Sequence, residues 1–304
     1  MKILVFGAGA MGSLIGGLLS SRHEVTLVAR SAHVRAIRHC GLHITGETNL
    51  VSDAWAMTEA PRDKQDLVII STKAYETASA VRHLRRFWHS SLFLTLQNGL
   101  RNTDIIAAKA DRVVAGTTSH GVTFVRDGII RHAGLGDTYL GAFKNATASE
   151  VRDLCREFTA CGFPAKFSDD IKRAMWMKAI VNAAINPLTA IARVENGRLL
   201  QIPQLHALMR LSCEEAVAVA RAEGHKIGME EALRTACRVA FRTAANRSSM
   251  LQDIDRGRRT EVSEISGVMV EIARRRGLRT PTVDTLRLAV RELEPPAQNV
   301  PDCG

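Results

Sequence analysis

Hydrophobic positions in the first half of the chain come in short, nearly continuous runs: Ile3–Phe6, Glu24–Ala29, Leu67–Ser71, Leu92–Leu96 and Val113–Thr117. Strands covered on both faces of a parallel sheet read this way, because neither face alternates with polar residues. Between them, stretches such as Met11–Ser21 and Tyr75–Phe87 follow the helical period. This rhythm predicts a doubly wound α/β domain. Near Val122–Val125, Ile129–Ala133 and Thr138–Gly141 the runs are split by Asp127-Gly128 and by Gly134. That spacing predicts antiparallel hairpins closing the sheet.

From about Ser168 the strand pattern stops. Helical periodicity is sustained over Ile171–Ala192, Gln204–Glu223, Glu230–Thr243, Thr260–Arg276 and Val283–Leu293, with breaks at Pro187, Pro203, Gly224, Gly228, Gly277 and Pro281. Ser168-Asp169-Asp170 has the character of a helix start. The expected organisation is therefore residues 1–167 as an α/β domain and 168–304 as an all-helical one. The tail from Pro295-Pro296 is expected to be frayed.

Composition narrows the class. The chain has 304 residues, 46% of them hydrophobic and 24% charged, which is material for two buried cores. Lys+Arg outnumber Asp+Glu by 41 to 31, a net charge of +10. The excess is scattered and lacks interleaved aromatics, so it reads as a solvated surface with room for a small anionic ligand rather than a nucleic-acid footprint. The six cysteines form no Cys-x-x-Cys and no zinc spacing, so no metal site is expected. Ile3 to Ser21 carries no charge, but Gly7, Gly9, Gly12, Gly16 and Gly17 punctuate it as strand, turn and helix rather than as a membrane span. A soluble protein is expected.

Two patterns carry chemistry. Gly7-Ala8-Gly9-Ala10-Met11-Gly12 is a G-x-G-x-x-G between the first strand and the first helix, the context in which it binds a dinucleotide pyrophosphate. At the end of the second strand, where an NAD site usually holds an acid for the ribose 2′-hydroxyl, this chain has Arg30 followed by Ser31. Arginine suits a 2′-phosphate, so the cofactor expected is NADPH. Loops after the third and fourth strands place Lys73 and Asn98 where further ligand contacts are expected. The second pattern is Lys178, Asn182 and Asn186, at i, i+4 and i+8 on a helix otherwise made of Met, Trp, Ile, Val and Ala. Such a helix should be largely buried, and no acid between Met175 and Asn186 pairs with Lys178. A buried cation without a protein anion points to a ligand carboxylate or carbonyl. Pro187 is expected to kink or end the helix there and leave Asn186 at a discontinuity.

With the N-terminal Lys2-Ile3-Leu4-Val5-Phe6-Gly7-Ala8-Gly9-Ala10-Met11-Gly12, the Gln97-Asn98-Gly99 loop, the Lys178/Asn182/Asn186 stripe, and Ser248-Ser249-Met250-Leu251-Gln252-Asp253 with Arg259-Thr260-Glu261, the chain resembles the ketopantoate reductase (2-dehydropantoate 2-reductase) family over nearly its whole length. The resemblance implies a Rossmann-type domain followed by a helical domain like the C-terminal one of 6-phosphogluconate dehydrogenase. It implies NADPH-dependent reduction of 2-dehydropantoate to (R)-pantoate, towards pantothenate and coenzyme A, with Lys178 as proton donor. It also implies substrate contacts at Asn98, Asn182, Asn186, Asn196, Asn246 and Ser249. Cofactor contacts are implied at Gly7, Ala8, Gly9, Ala10, Met11, Gly12, Arg30, Lys73, Asn98, Val122 and Glu261; at Val122 the family has a smaller residue. The alternatives are a relative acting on another branched 2-oxo acid and an NADPH-binding regulator without turnover. A cytoplasmic enzyme is expected, with a small-molecule substrate, no nucleic-acid or membrane partner, and a homodimer as the candidate assembly.

Overall fold

A computed structural model describes residues 1–296; the rest of the expected frayed tail lies outside them. The chain separates into two compact units, Met1–Met175 and the residues from Trp176 onward.

The first unit contains β1 (Lys2–Phe6), β2 (Glu24–Val28), β3 (Leu42–Gly46), β4 (Leu50–Ser52), β5 (Trp55–Met57), β6 (Leu67–Ile70), β7 (Leu92–Thr95), β8 (Arg112–Thr118), β9 (Gly121–Arg126), β10 (Ile129–Gly134), β11 (Thr138–Lys144) and β12 (Lys166–Phe167). Its helices are α1 (Ala10–Leu19), α2 (Ser31–Cys40), α3 (Thr77–His83), α4 (Asn102–Ala107) and α5 (Ala148–Ala160). Six strands run parallel in the order β5-β2-β1-β6-β7-β8, with β11 antiparallel on β8 and β12 at the edge. The order reverses between β1 and β6, and ligands of such sheets bind at the carboxyl ends of the strands there. The strands are apolar throughout because each serves two cores. Ile3 and Val5 face a core shared with Leu14 and Ile15 of α1, whereas Leu4 faces one shared with Val81, Phe87 and Ile106.

The hairpins differ from expectation. Of the three predicted hairpin strands, only β11 belongs to the main sheet. The β9–β10 hairpin belongs to a second, four-stranded sheet, β4-β3-β10-β9, in which β10 runs parallel to β3. Helix α1 lies between the two sheets: a Cβ on Gly16 would strike Leu27 of β2 at 2.3 Å, and one on Gly17 would strike Ile44 of β3 at 2.7 Å.

Helix α6 (Ile171–Ala192) contains the division between the units. Asp170 caps it, its carboxylate accepting from the Arg173 backbone N–H at 3.0 Å. The second unit continues with α7 (Arg198–Gln201), α8 (Pro203–Ala222), α9 (Met229–Arg242), α10 (Ser249–Asp255), a π-helical turn at Ser263–Gly267 leading into α11 (Val268–Arg275), and α12 (Pro281–Leu293). Among the described residues no helix is long and apolar enough to cross a membrane.

Candidate functional site: a dinucleotide turn and a polar stripe on a buried helix

In the first unit the carboxyl ends of β1, β6 and β7 are tied together. The backbone N–H groups of Gly7 and Ala8 both donate to the Val28 carbonyl, at 3.0 and 2.8 Å. Gly7 has φ +98°, and a Cβ there would fall 2.5 Å from the Thr72 nitrogen, so only glycine fits. A Cβ on Gly12 would fall 2.4 Å from the Ser71 hydroxyl, which itself donates to the Gly7 carbonyl at 3.0 Å. Gln97 joins the third loop, its amide donating to the Thr72 carbonyl at 2.7 Å.

Gly9 is different. It is exposed, with φ −79°, and a Cβ there would meet no protein atom closer than the Gly7 carbonyl oxygen at 4.0 Å. The turn is thus closed by protein at its first and third glycines and open at its second. The opening lies beside the first-turn amides of α1, which have no intrahelical partners and carry the positive end of the helix dipole, the chemistry that favours an anionic group such as a pyrophosphate. Gly9→Ala is therefore expected to leave the melting temperature nearly unchanged while raising the KM for NADPH about tenfold or more, as expected where a methyl group displaces a phosphate from charge-assisted bonds. Thermal melts and cofactor titrations on the same preparation check both halves.

Arg30 stands just before α2, exposed, with no ion pair or hydrogen bond of its side chain among the described residues. Lys73 and Asn98 are part-buried at the ends of β6 and β7; the Asn98 carbonyl accepts from the Asn102 amide at 2.6 Å. Val122 lies on β9, paired with His132 and packed against the core that includes α1.

In the second unit, α6 is buried nearly all round by Trp176, Ala179, Ile180, Val181, Ala183, Ala184, Ile185 and Leu188. It does not end at Pro187: helical structure runs unbroken to Ala192, so Asn186 sits inside a continuous helix rather than at a discontinuity. The proline removes one backbone donor, but Leu188, Thr189 and Ala190 are packed away from solvent behind it and hold the chain helical. Lys178, Asn182 and Asn186 consequently form a single row with a rise of about 6 Å between neighbours.

Lys178 and Asn182 are half-buried and Asn186 is buried. None of the three side chains has a direct hydrogen-bond or ion-pair partner among the described residues. Burial pushes the Lys178 ammonium down to about 8, and the charge of Glu261 acts in the opposite direction. Glu261 is itself buried, in the bend just before the π-helical turn rather than within a helix, and its carbonyl accepts from the Ile265 backbone N–H at 3.0 Å.

The other residues expected to contact substrate divide into two groups. Asn196 and Asn246 are joined, the Asn196 N–H donating to the Asn246 carbonyl at 3.0 Å. The Asn196 amide donates to Thr243 at 2.8 Å, while its Oδ1 is buried without a partner. Ser249 is exposed at the first turn of α10. Its neighbour Ser248, inside the Asn246–Ser249 segment that the resemblance implies as a substrate contact, caps α10 by accepting from the Leu251 N–H at 3.1 Å. The same hydroxyl accepts from Thr189 at 2.7 Å, tying α10 to the row one turn beyond Asn186. Thr189 continues the polar spacing of the stripe by three residues, the one signal for this tie that the sequence contains. No cluster of three or more metal-binding side chains occurs among the described residues.

Comparison with known proteins gives this geometry its context. The family described as "Ketopantoate reductase PanE/ApbA" matches residues 3–145, and the one described as "Ketopantoate reductase PanE/ApbA C terminal" matches residues 170–294. The chain belongs to the ketopantoate reductase family. A 2-dehydropantoate 2-reductase of Halobacterium salinarum is 38% identical over 298 residues, covering 96% of this chain and 98% of that one. The crystal structure of a PanE/ApbA family ketopantoate reductase from Ralstonia eutropha superposes with a TM-score of 0.89 at 32% identity, covering 96% of this chain and 98% of that one. A ternary structure of D-mandelate dehydrogenase with NADH and anilino(oxo)acetate superposes with a TM-score of 0.91 at 26% identity and the same coverage. Within this family the glycine turn and the Lys–Asn–Asn row fall in separately matched parts, one in each unit.

Proposed function

We propose that the chain reduces 2-dehydropantoate to (R)-pantoate with NADPH, residues 1–167 holding the cofactor and 168–304 the substrate. The observation that carries the reading is the desolvated Lys178 in one row with two carboxamides that have no hydrogen-bond partner among the described residues. NADPH supplies the hydride for the ketone carbon. Gly7–Gly12, Arg30, Lys73, Asn98, Val122 and Glu261 are the residues proposed to hold it. Asn182, Asn186, Asn196, Asn246, Ser249 and Asn98 are proposed to hold the carboxylate, carbonyl and hydroxyl groups of the substrate, fixing the ketone for attack. Lys178 stabilises the negative charge that develops on the ketone oxygen and delivers the proton to it. As proposed here, the enzyme works in the cytoplasm on a free small molecule, without nucleic acid or membrane and as a homodimer. NADPH oxidation, followed by absorbance across a panel of 2-oxo acids, tests this; highest kcat/KM for 2-dehydropantoate is expected, and no oxidation with any of them would favour a regulator.

The D-mandelate dehydrogenase likeness supports a second reading, another branched 2-oxo acid as preferred substrate. The same panel separates the two, because both use the same proton donor.

The pH dependence follows from the Lys178 shift. The donor must be protonated, so reduction should be constant at low pH and fall as pH rises through about 8. Glu261 raises the lysine's pKa; Glu261→Gln removes that support, so the descent should move to lower pH and activity at neutral pH should drop. A pH–rate profile whose alkaline limb is unmoved in Glu261→Gln would show that Lys178 is not the titrating group.

A further inference from the structure

A buried hydrogen-bond chain connects the dinucleotide turn to α2 and to the β9–β10 hairpin, and it runs through His33. The Gly128 N–H donates to His33 Nδ1 at 3.0 Å, which fixes Nδ1 as the acceptor and places the ring proton on Nε2. His33 Nε2 lies 3.1 Å from Ser13 Oγ, and that hydroxyl donates to the Ala8 carbonyl at 3.2 Å. His33 is 2% exposed and Ser13 0%. The imidazole also packs on Phe124 of β9, with ring centroids 4.9 Å apart. Burial holds its pKa below the ordinary imidazole value against the pull of Asp127, whose carboxylate is 3.8 Å from Nδ1, so the neutral, single-proton form that the chain of bonds requires is the one present at neutral pH.

We infer that His33 and Ser13 are positioning residues for the cofactor: they hold the Ala8–Gly9 peptide, and with it the first amides of α1, at a fixed place relative to the first turn of α2. Ser13 lies in the first turn of α1, where its N–H closes on the Gly9 carbonyl at 2.9 Å. His33 is the third residue of α2, directly after Arg30-Ser31-Ala32. The N-termini of these two helices are the proposed places for the pyrophosphate and the 2′-phosphate. The Ala8 peptide is gripped on both sides, its N–H donating to Val28 and its carbonyl accepting from Ser13. With the Ser13–His33 link cut, the turn would have to be ordered when cofactor binds, which weakens binding without touching the chemical step.

The inference rests on the proposed cofactor role of this turn, and the experiment keeps the two apart. Titration of the full-length protein with NADPH and with NADH, alongside steady-state kinetics, is run on the wild type, His33→Leu, His33→Gln, Ser13→Ala and the His33→Leu/Ser13→Ala double variant. His33→Leu should weaken both cofactors by the same factor, about five- to tenfold, for the loss of one buried hydrogen bond, with kcat at saturating NADPH within about twofold. Glutamine carries an amide N–H where the imidazole has Nε2–H, so His33→Gln should recover most of the affinity. The double variant should be no weaker than the worse single one, since both cut the same chain. Unchanged affinity in Ser13→Ala, a loss in His33→Gln as large as in His33→Leu, or additive losses in the double variant would each overturn the inference. Should His33→Leu fail to fold, Ser13→Ala and His33→Gln decide the matter alone. A wild type that binds neither cofactor would instead remove the proposed function.

Discussion

Lys178→Ala is expected to lower kcat by ~10²–10⁴, the range general acid catalysis supplies, while cofactor affinity changes little. The expectation rests on where the charge sits. The ammonium is desolvated enough to bring it down to about 8, against the opposing pull of the Glu261 charge. A lysine so placed gives up its proton more readily than one in water, yet remains mostly charged near neutral pH. It can therefore serve both as an electrostatic anchor for a developing oxyanion and as the source of the proton. Lys178→Arg separates the two roles. Arginine keeps the positive charge but does not release a proton near neutrality, so it should bind substrate better than the alanine variant without restoring kcat. Stopped-flow traces at saturating NADPH and substrate would report the chemical step directly. A Lys178→Ala enzyme turning over at a near-normal rate would remove the lysine from the mechanism and leave Asn182 and Asn186 as binding groups alone.

The features that were legible in the sequence share a physical cause: each is a local pattern with one strong constraint. The five main parallel strands stand out because Ile3, Val5 and Leu4 must satisfy apolar cores on opposite faces at once. The polar row stands out because three polar groups interrupt a helix that burial otherwise keeps apolar. Strands β3, β4 and β5 were not legible. β4 and β5 have three residues each, and exposed Val51 and Trp55 blur any alternation there; β3 is as long as β1 but has only Leu42 and Ile44 buried and ends on exposed Thr45-Gly46. The pairing of β3 with β10, which creates the second sheet, joins segments far apart in sequence and leaves no local trace. Pro187 misled for the opposite reason. Its local preference is strong, about 3 kcal/mol against an interior helical position, but the buried residues around it outweigh that preference. The role of His33 was hidden because its partner Gly128 is 95 residues away, in a hairpin whose place in the fold the pattern did not reveal.

Arg30→Ala should raise the KM for NADPH by ~10–100-fold and change that for NADH by no more than about twofold, which corresponds to losing one bidentate charge-assisted contact of roughly 1.5–3 kcal/mol. The structure makes Arg30 a free cation: it is exposed, it has no ion pair among the described residues, and no acid occurs between Ala29 and Cys40 to compete with a phosphate. Its backbone is extended, with φ −65° and ψ 149°, and it caps α2 without a side-chain bond, so an anion held by the guanidinium also meets the positive end of that helix. The contact is on the surface and should be screened: raising salt should narrow the wild-type preference for NADPH and leave the alanine variant's preference unchanged. Arg30→Asp carries the argument one step further. A carboxylate there repels a 2′-phosphate and accepts from ribose hydroxyls, so this variant should favour NADH outright. Equal losses for both cofactors in Arg30→Ala, with no salt dependence in the wild-type ratio, would assign the arginine a purely structural place at the start of α2 and move the 2′-phosphate contact elsewhere.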